Sequence, residues 1–484
     1  VGQRIARNTL HTLPRFGIMF DGNDHLIELN HIHHVCLETT DTGAIYGGSL
    51  RWYSGPGIVI RNNFIHDVIG CGEESPGKWR FPHFAFGIYL DWSPNGMTVQ
   101  GNIVARVPRA GIHVHDGRDN LVENNILVDC GERVVEQNGW TTATPFWAKT
   151  VSNWKVQYAM VSGEPAWKGR PLRDPASVPR SNRFTMINNR VMGNIMSGKI
   201  EGSDLVSYVN HDAVLCPSDS NLFFRGTPAS GQPPEIASTV NHAPNPGFEE
   251  GAEGDALRDW SNTIPTGGSA RLSPLAARSG KVGLHLELAV VGAEAMGDWK
   301  QNLVVQSRFI RPIPGKRYRL SAWMRSTNVA NPPSVRLEAL CYKAGAHDVR
   351  LVSKTVQALG AWRQESTLPF RFPKPGEARH REGMESTFYI RFIVSPGREA
   401  LALDLDDIRL EEVGAFNELE SLHALGHDRN SRVADPLFVD ASKDDFRLRP
   451  NSPAWALGFK AIPVEQIGCD TDPLRKAWAK PGAP

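Results

Sequence analysis

The sequence predicts an all-β chain: a right-handed parallel β-helix interrupted by an inserted antiparallel β-sandwich of the jelly-roll kind. Three observations predict it. Four short apolar runs each open on glycine: Gly17-Ile18-Met19-Phe20-Asp21, Gly43-Ala44-Ile45-Tyr46-Gly47, Gly87-Ile88-Tyr89-Leu90-Asp91 and Gly111-Ile112-His113-Val114-His115. A second element recurs at fixed phase in RIARNTLHT, LIELNHIHH, IVIRNNFIHD, MTVQGNIVAR, LVENNILVD and FTMINNRVMG, with a period of 22 or 23 residues where no loop intrudes. From about Ala243 the texture changes to alternating strands such as GLHLEL, RYRLSAWMR and FYIRFIV.

Units this short, with β alternation and no helical face, cannot bury an apolar surface alone and must stack on their neighbours. Stacked coils of about three short strands are the result. The asparagines of the second element, Asn8, Asn30, Asn63, Asn102, Asn125 and Asn189, are expected to stack as a hydrogen-bonded ladder that holds turns. Residues 69–86 and 131–182 fall out of phase and carry Pro, Gly, Trp and charge, so they read as long loops walling a groove, the usual seat of binding and catalysis. Residues 243–414 read as the sandwich, residues 1–242 as the β-helix, and residues 415–484 as a return to the helix followed by a cap that covers its open edge.

Composition narrows the function. Fifty-three Lys and Arg balance 52 Asp and Glu, which argues against nucleic-acid or polybasic membrane partners. No stretch has the apolar length of a membrane helix. The six cysteines are scattered without CxxC spacing, so they signal neither a zinc site nor a dense disulfide framework and leave the compartment open. Val1 falls inside a repeat, and a segment of the same protein is expected upstream of it.

Side-chain alternation defines the chemistry-bearing face. Aligned on the opening glycines, Ile18, Ala44, Ile88 and Ile112 point inward, as do Phe20, Tyr46, Leu90 and Val114. The outward columns are then Met19, Ile45, Tyr89 and His113, and Asp21, Gly47, Asp91 and His115. Coils stack ~4.8 Å apart, which places Asp91 beside His115 and leaves Asp21 and Asp91 straddling Gly47 at roughly 9 to 10 Å. Two carboxylates flanking a gap suit glycosidic bond cleavage. Asp41 precedes its strand by two residues, where an Asp before Thr-Gly also serves as a turn former, and it reaches Asp91 only if the chain bends there. His113, His115 and Asp116 match no metal-ligand spacing and read, with Tyr89, Asp21, Trp79 and His83, as substrate-binding groups around the pair.

The successive motifs NHIHHVCLETTDTGAIY, GIYLDW, GNI, GRDNLVENNILVDC and DPLFVDASKDDFRLRPNSPA resemble the β-helix enzymes grouped around glycoside hydrolase family 141, which includes fucosidase and xylanase activities. The resemblance covers residues 1–240 and the tail from 415. It implies a catalytic aspartate pair, carried here to Asp41 and Asp91. Two departures stand out: Trp92 where relatives commonly have a second acid, and HDGRDN in place of a His-Gly-Gly-Arg-Asp-Asn segment. The Asn-Pro-Gly-Phe-Glu opening and Asp-Asp-Ile-Arg-Leu close of the sandwich resemble jelly-roll carbohydrate-binding modules, which implies a structural calcium near Glu249 and Asp407, with Trp260, Trp299, Trp323 and Trp362 as core or sugar-stacking aromatics.

The expected function is hydrolysis of a polysaccharide or oligosaccharide, with no catalytic cofactor, by a protein that is secreted, periplasmic or on the cell surface. Two rivals share the fold. A polysaccharide lyase would use Lys78, Arg80 or Arg109 to neutralise a uronate carboxylate. A non-catalytic glycan-binding scaffold would tolerate loss of Asp41 and Asp91.

Overall fold

The structure is a computed structural model that describes residues 2–49, 51–75, 77–140, 147–170, 172–177, 185–198, 204–209, 213–225, 240–253, 256–290, 299–326, 333–342, 348–358, 360–367, 369–377, 379–396, 399–413, 419, 422–423 and 425–478. Three parallel sheets of seven, six and eight strands wind around one apolar core, forming the β-helix, and two antiparallel sheets form the sandwich. In the coils, Leu26–Glu28, Val59–Arg61, Thr98–Gln100 and Leu121–Glu123 are neighbours in the first sheet. Thr42–Gly48, Ala85–Asp91, Ala110–His115 and Arg133–Asn138 are neighbours in the second.

The asparagine ladder runs the length of the coils inside the turn after the first sheet. Each side-chain amide donates to the next Asn Oδ1: Asn30 to Asn63 and Asn63 to Asn102 at 2.9 Å, Asn102 to Asn125 at 3.0 Å, and Asn125 to Asn194 at 2.9 Å. The rung after the long loop is therefore Asn194, two residues beyond Arg190–Met192, and not Asn189. Asn189 belongs to a shorter ladder and accepts from Asn120 at 2.9 Å.

The second sheet corrects the column assignment by one residue in one strand. Ile45 pairs with Ile18 and Ile88 and is buried, whereas Tyr46 pairs with Met19 and Tyr89 and points outward. The column that opens each strand requires a small residue, not specifically glycine: a Cβ on Gly87 would stand 2.5 Å from both Gly111 O and Val104 Cγ1, while Ala44 is tolerated in the equivalent place. Alignment on Gly43 therefore slips the register by one. The outward columns become Met19, Tyr46, Tyr89, His113 and Glu136, and Gly48, Asp91, His115 and Asn138. Gly47 faces inward, where the Phe20 ring fills the space that its side chain would take.

The C-terminal segment covers a face as well as an end. Arg432–Val433 adds a last strand to the third sheet beside Leu222–Phe224. The chain then runs back along the outside of that sheet, where Phe446, Phe459, Val464 and Ile467 bury Phe64, Ile103, Ile126, Ile195 and Leu222. Strands such as Ile103–Ala105 and Ile126–Val128 are apolar on both faces, and only a covering layer removes their outer side from water.

In the sandwich, Glu249 accepts the backbone N–H groups of Lys281 at 2.9 and 3.0 Å and of Val282 at 3.3 Å. Asp407 pairs with the Arg278 guanidinium and accepts from Ser279 Oγ at 2.7 Å. The two acids do meet the same segment, but amide and guanidinium donors occupy their oxygens, and among the described residues no group of three or more acids, histidines or cysteines is arranged to hold a metal. These donors compete with a cation for the same oxygens. Trp260 is core, Trp323 lies under Arg278 at 3.6 Å and Trp362 under Arg325 at 4.8 Å, and Trp299 is exposed beside Arg391 and Arg336.

Candidate active site

Asp91 ends Ala85–Asp91 on the outward face of the second sheet, yet it is only 5% exposed because loops roof it. Its carboxylate is held from four directions. Tyr46 Oη donates to Oδ2 at 2.8 Å, the Trp92 backbone N–H donates to Oδ1 at 2.8 Å, His115 Nδ1 lies 2.7 Å from Oδ1, and Tyr89 contacts it from the same sheet. Burial alone would raise its pKa, but the hydrogen bond and charge of His115, the Tyr46 hydroxyl and the Trp92 amide together lower it.

Asp41 supplies the bend that a straight strand lacks. Its φ of 51° is left-handed, and its backbone N–H donates to Phe84 O at 2.8 Å. The turn carries its carboxyl over the sheet, where Oδ1 accepts from Tyr89 Oη at 3.5 Å. Both carboxylates thus stand beside one phenol, that of Tyr89. Asp41 presents surface to solvent, yet protein atoms crowd its carboxyl and raise its pKa, and the negative charge of Asp91 pushes in the same direction. The two aspartates are displaced in opposite senses, as an acid and its partner base require. Tyr46 and Tyr89 are both pushed upward by burial and by the Asp91 charge, so they remain protonated donors.

His115 links Asp91 to the roof. The Trp140 indole N–H donates to Nε2 of the neutral His115 ring at 3.3 Å, and in that form Nδ1 carries the ring proton toward Asp91. Burial lowers the His115 pKa, but the Asp91 hydrogen bond and charge outweigh it and the net displacement is upward. Trp140 is placed by Asp116, which accepts its backbone N–H at 3.1 Å and the Ser93 hydroxyl at 3.1 Å. Asp116 is fully buried, and burial pushes its pKa up to about 7. It positions the roof from a place closed to solvent.

The remaining expected site residues divide. His113 is buried, its Nδ1 3.2 Å from Glu136, which Arg109 and Arg133 clamp in turn. It packs edge-on beside Tyr89 in the same outward column, with ring centroids 4.8 Å apart. Asp21 is not brought to the pair: it accepts from Ser54 Oγ at 2.7 Å and Arg51 Nη1 at 3.2 Å and anchors the loop that follows Gly48. Trp79, 60% exposed, and Phe81, also 60% exposed, stand on and beside the hairpin strand Lys78–Arg80. His83 and Phe84 line a cavity of ≈ 580 Å³ with Arg80, Pro82, Pro108 and Arg381. Phe84 lines this cavity, and its carbonyl accepts the Asp41 backbone N–H.

Sequence reading missed Tyr46, Trp140 and Arg381. Tyr46 was turned inward by the register slip. Trp140 lies in a loop whose path no periodicity records. Arg381 comes from the sandwich, 3.7 Å from Glu132, and a contact across some 250 residues of sequence leaves no local signal.

Residues 1–155 match the family model described as a right handed beta helix region. No curated protein matches the chain. Among solved structures, it is similar to TmCBM61 in complex with beta-1,4-galactotriose at 17% identity, over 36% of this chain and 98% of that one, with a TM-score of 0.25. It is also similar to the CBM22-1 xylan-binding domain from Paenibacillus barcinonensis Xyn10C at 14% identity, over 35% and 94%, with a TM-score of 0.25. An arabinose-bound MgGH51 α-L-arabinofuranosidase is similar at 12% identity over 37% of this chain and 27% of that one, with a TM-score of 0.26. At these scores the likenesses bear on no activity.

Proposed function

We propose that the chain is a glycoside hydrolase in which Asp41 protonates the leaving oxygen and Asp91 acts from the other side of the scissile bond as base or nucleophile. The observation that carries this reading is the paired environment: two carboxylates around Tyr89, one displaced upward in pKa and the other downward. Asp41 sits at the solvent-facing edge, as a proton donor to a departing sugar oxygen must. Asp91, gripped by Tyr46, Trp92 and His115, keeps its charge and is oriented for attack or for deprotonating a water. The hydrogen bond from Tyr46 also withdraws density from Oδ2, leaving His115 and the Trp92 amide to fix Oδ1. The motif order resembling glycoside hydrolase family 141 supports the same chemistry.

The exposed rings of Trp79 and Phe81 offer apolar faces to sugar rings, and the cavity behind Phe84 offers planar guanidinium and carboxylate groups that pair with hydroxyls. A glycan lying along this rim passes Asp41. The substrate is accordingly an oligosaccharide or polysaccharide, and a protein acting on it works outside the cytoplasm.

Incubation with a panel of plant, algal and bacterial polysaccharides tests the reading through the products. New reducing ends without an unsaturated uronate chromophore support hydrolysis. The chromophore would indicate a lyase, and glycan binding without turnover would indicate a scaffold. The anomer released by the active substrate distinguishes nucleophile from base at Asp91.

A further inference from the structure

On a different face of the coils from the aspartate pair, five histidines gather beside the C-terminal segment, with His31 buried and His11 and His34 exposed. His11, His33 and His66 stack as one outward column of the third sheet, with ring centroids 5.1 and 5.0 Å apart, and His31 and His34 lie beside them. Two of these rings meet nitrogen to nitrogen: His31 Nε2 is 2.8 Å from His66 Nε2. The outer nitrogen of each is committed to a carboxylate, His31 Nδ1 to Asp472 at 2.7 Å and His66 Nδ1 to Asp67 at 2.6 Å.

Both carboxylates are ionised by their own partners. Asp67 accepts the Arg106 guanidinium at 2.7 and 2.9 Å, and burial, which would raise its pKa, is outweighed by His66 and Arg106 so that the net is downward. Asp472 accepts the Thr9 hydroxyl at 2.5 Å and the Leu474 amide at 2.9 Å and is likewise displaced downward. Each Nδ1 must then carry its proton, which in two neutral rings would leave lone pairs facing across 2.8 Å. That separation suits an N–H···N bond and is shorter than two imidazoles around one tetrahedral metal would allow, about 3.3 Å from a Zn–N length near 2.0 Å.

We infer that the His31–His66 pair holds one shared excess proton at neutral pH and that this proton latches the C-terminal segment onto the coils. The shared proton completes a chain from Asp472 through His31, His66, Asp67 and Arg106 to Asp444, which Arg106 grips at 2.6 and 2.9 Å. Asp472 and Asp444 both lie on the segment that covers the third sheet, so the pair joins two of its anchor points. The other titratable groups facing the pair are His11, His33 and His34, with Cys469 hydrogen-bonded to Thr9 at the rim. Burial and the neighbouring imidazoles push His33 down to about 4, so that ring stays neutral beside the pair.

The sign follows from proton counting. Burial lowers the His31 pKa, the Asp472 hydrogen bond and charge oppose it, and the neighbouring imidazoles add to it. The Nε2–Nε2 contact at 2.8 Å, however, closes only with a proton between the rings, so attachment weakens as pH rises and that proton is lost. Hydrogen exchange of the full chain, read on peptides covering residues 469–478 and normalised to unstructured exchange rates, tests this directly. Protection is expected to fall about tenfold or more between pH ~6 and pH ~9, the effect of one pKa unit of linkage. His66→Gln, whose amide donates to His31 without charge, is expected to flatten that dependence. Histidine-selective ¹⁵N spectra of the unmodified chain at neutral pH are expected to show protonated Nδ1 on both rings and one proton between the Nε2 atoms. Two neutral rings, pH-independent protection, or stoichiometric zinc uptake that shifts both Nε2 resonances would each overturn the inference. None of these readouts involves glycan cleavage.

Discussion

Asp41 and Asp91 carry the same carboxyl group into different surroundings, and the difference generates specific expectations. Asp91→Asn keeps the Tyr46 and His115 contacts close to isosteric while removing the charge, so turnover on a responsive glycan is expected to fall by roughly 10² to 10⁴ with little change in melting temperature. Near-normal turnover would revive the scaffold reading. Asp41→Asn should cost a comparable factor on poor leaving groups and far less on activated aryl glycosides, which need no protonation. The proposed mechanism uses Asp91 ionised and Asp41 protonated, so the rate is expected to fall on the acid side as Asp91 takes up a proton and on the alkaline side as Asp41 loses one. The alkaline limb should vanish in the Asp41 variant. Asp116 makes a separate claim on stability: its raised value near 7 means the folded chain retains a proton that an unfolded aspartate, ordinarily near 3.9, has released. Stability should therefore decline as pH climbs from about 4 to about 7, and Asp116→Asn should remove that slope and melt higher than the parent at pH ~8. A parallel pH–melting profile for the two proteins would contradict the burial argument.

At the scale of elements, the coils depend on groups that make no contact with substrate. Asn102 donates to Ile60 O at 2.9 Å and to Asn125 Oδ1 while accepting from both nitrogens of Asn63, so Asn102→Ala strands several buried partners at once. A loss of about 2 kcal/mol or more in urea unfolding is expected, against a smaller loss for Asn8→Ala at the partly exposed end of the ladder. Equal costs at the two positions would show that stacking of the amides, and not burial, sets their worth. The ladder was legible in the sequence because each Asn follows its strand by two residues. Its sixth rung was misread because Asn188-Asn189 offered a nearer candidate than Asn194 after an insertion of unpredictable length. The register of Thr42–Gly48 failed for a related reason: two adjacent small residues, Gly43 and Ala44, satisfy the same local pattern, and only the close approach of the next coil chooses between them.

For the whole molecule, the sandwich does more than ride on the coils. Arg381 lines the cavity next to Asp41, Arg80 Nη1 donates to His380 O at 3.4 Å, and Lys78 Nζ approaches Glu382 at 3.7 Å. Excision of residues 243–414 is expected to leave kcat on small activated glycosides largely intact while raising KM on long glycans severalfold. Unchanged KM would assign the cavity to something other than substrate. Because Glu249 and Asp407 are filled by amides and Arg278, treatment with a chelator is expected to leave the melting temperature unchanged. A fall reversed by calcium would restore the metal that their resemblance to carbohydrate-binding modules implied.

The sequence alone determined the repeat, the inward and outward alternation, the interruption by a second β-domain and the candidacy of Asp91, because each of these is a periodic or compositional property that local sterics and burial impose on neighbouring residues. Tertiary structure alone decided that Asp41 bends over the sheet to meet Tyr89, that Trp140 closes over His115, that the C-terminal segment lies along a sheet face, and that His31 and His66 come nitrogen to nitrogen between Asp472 and Asp67. These are contacts between residues far apart in the chain, set by coil spacing and loop closure, and no local pattern of residues encodes where such a path will end.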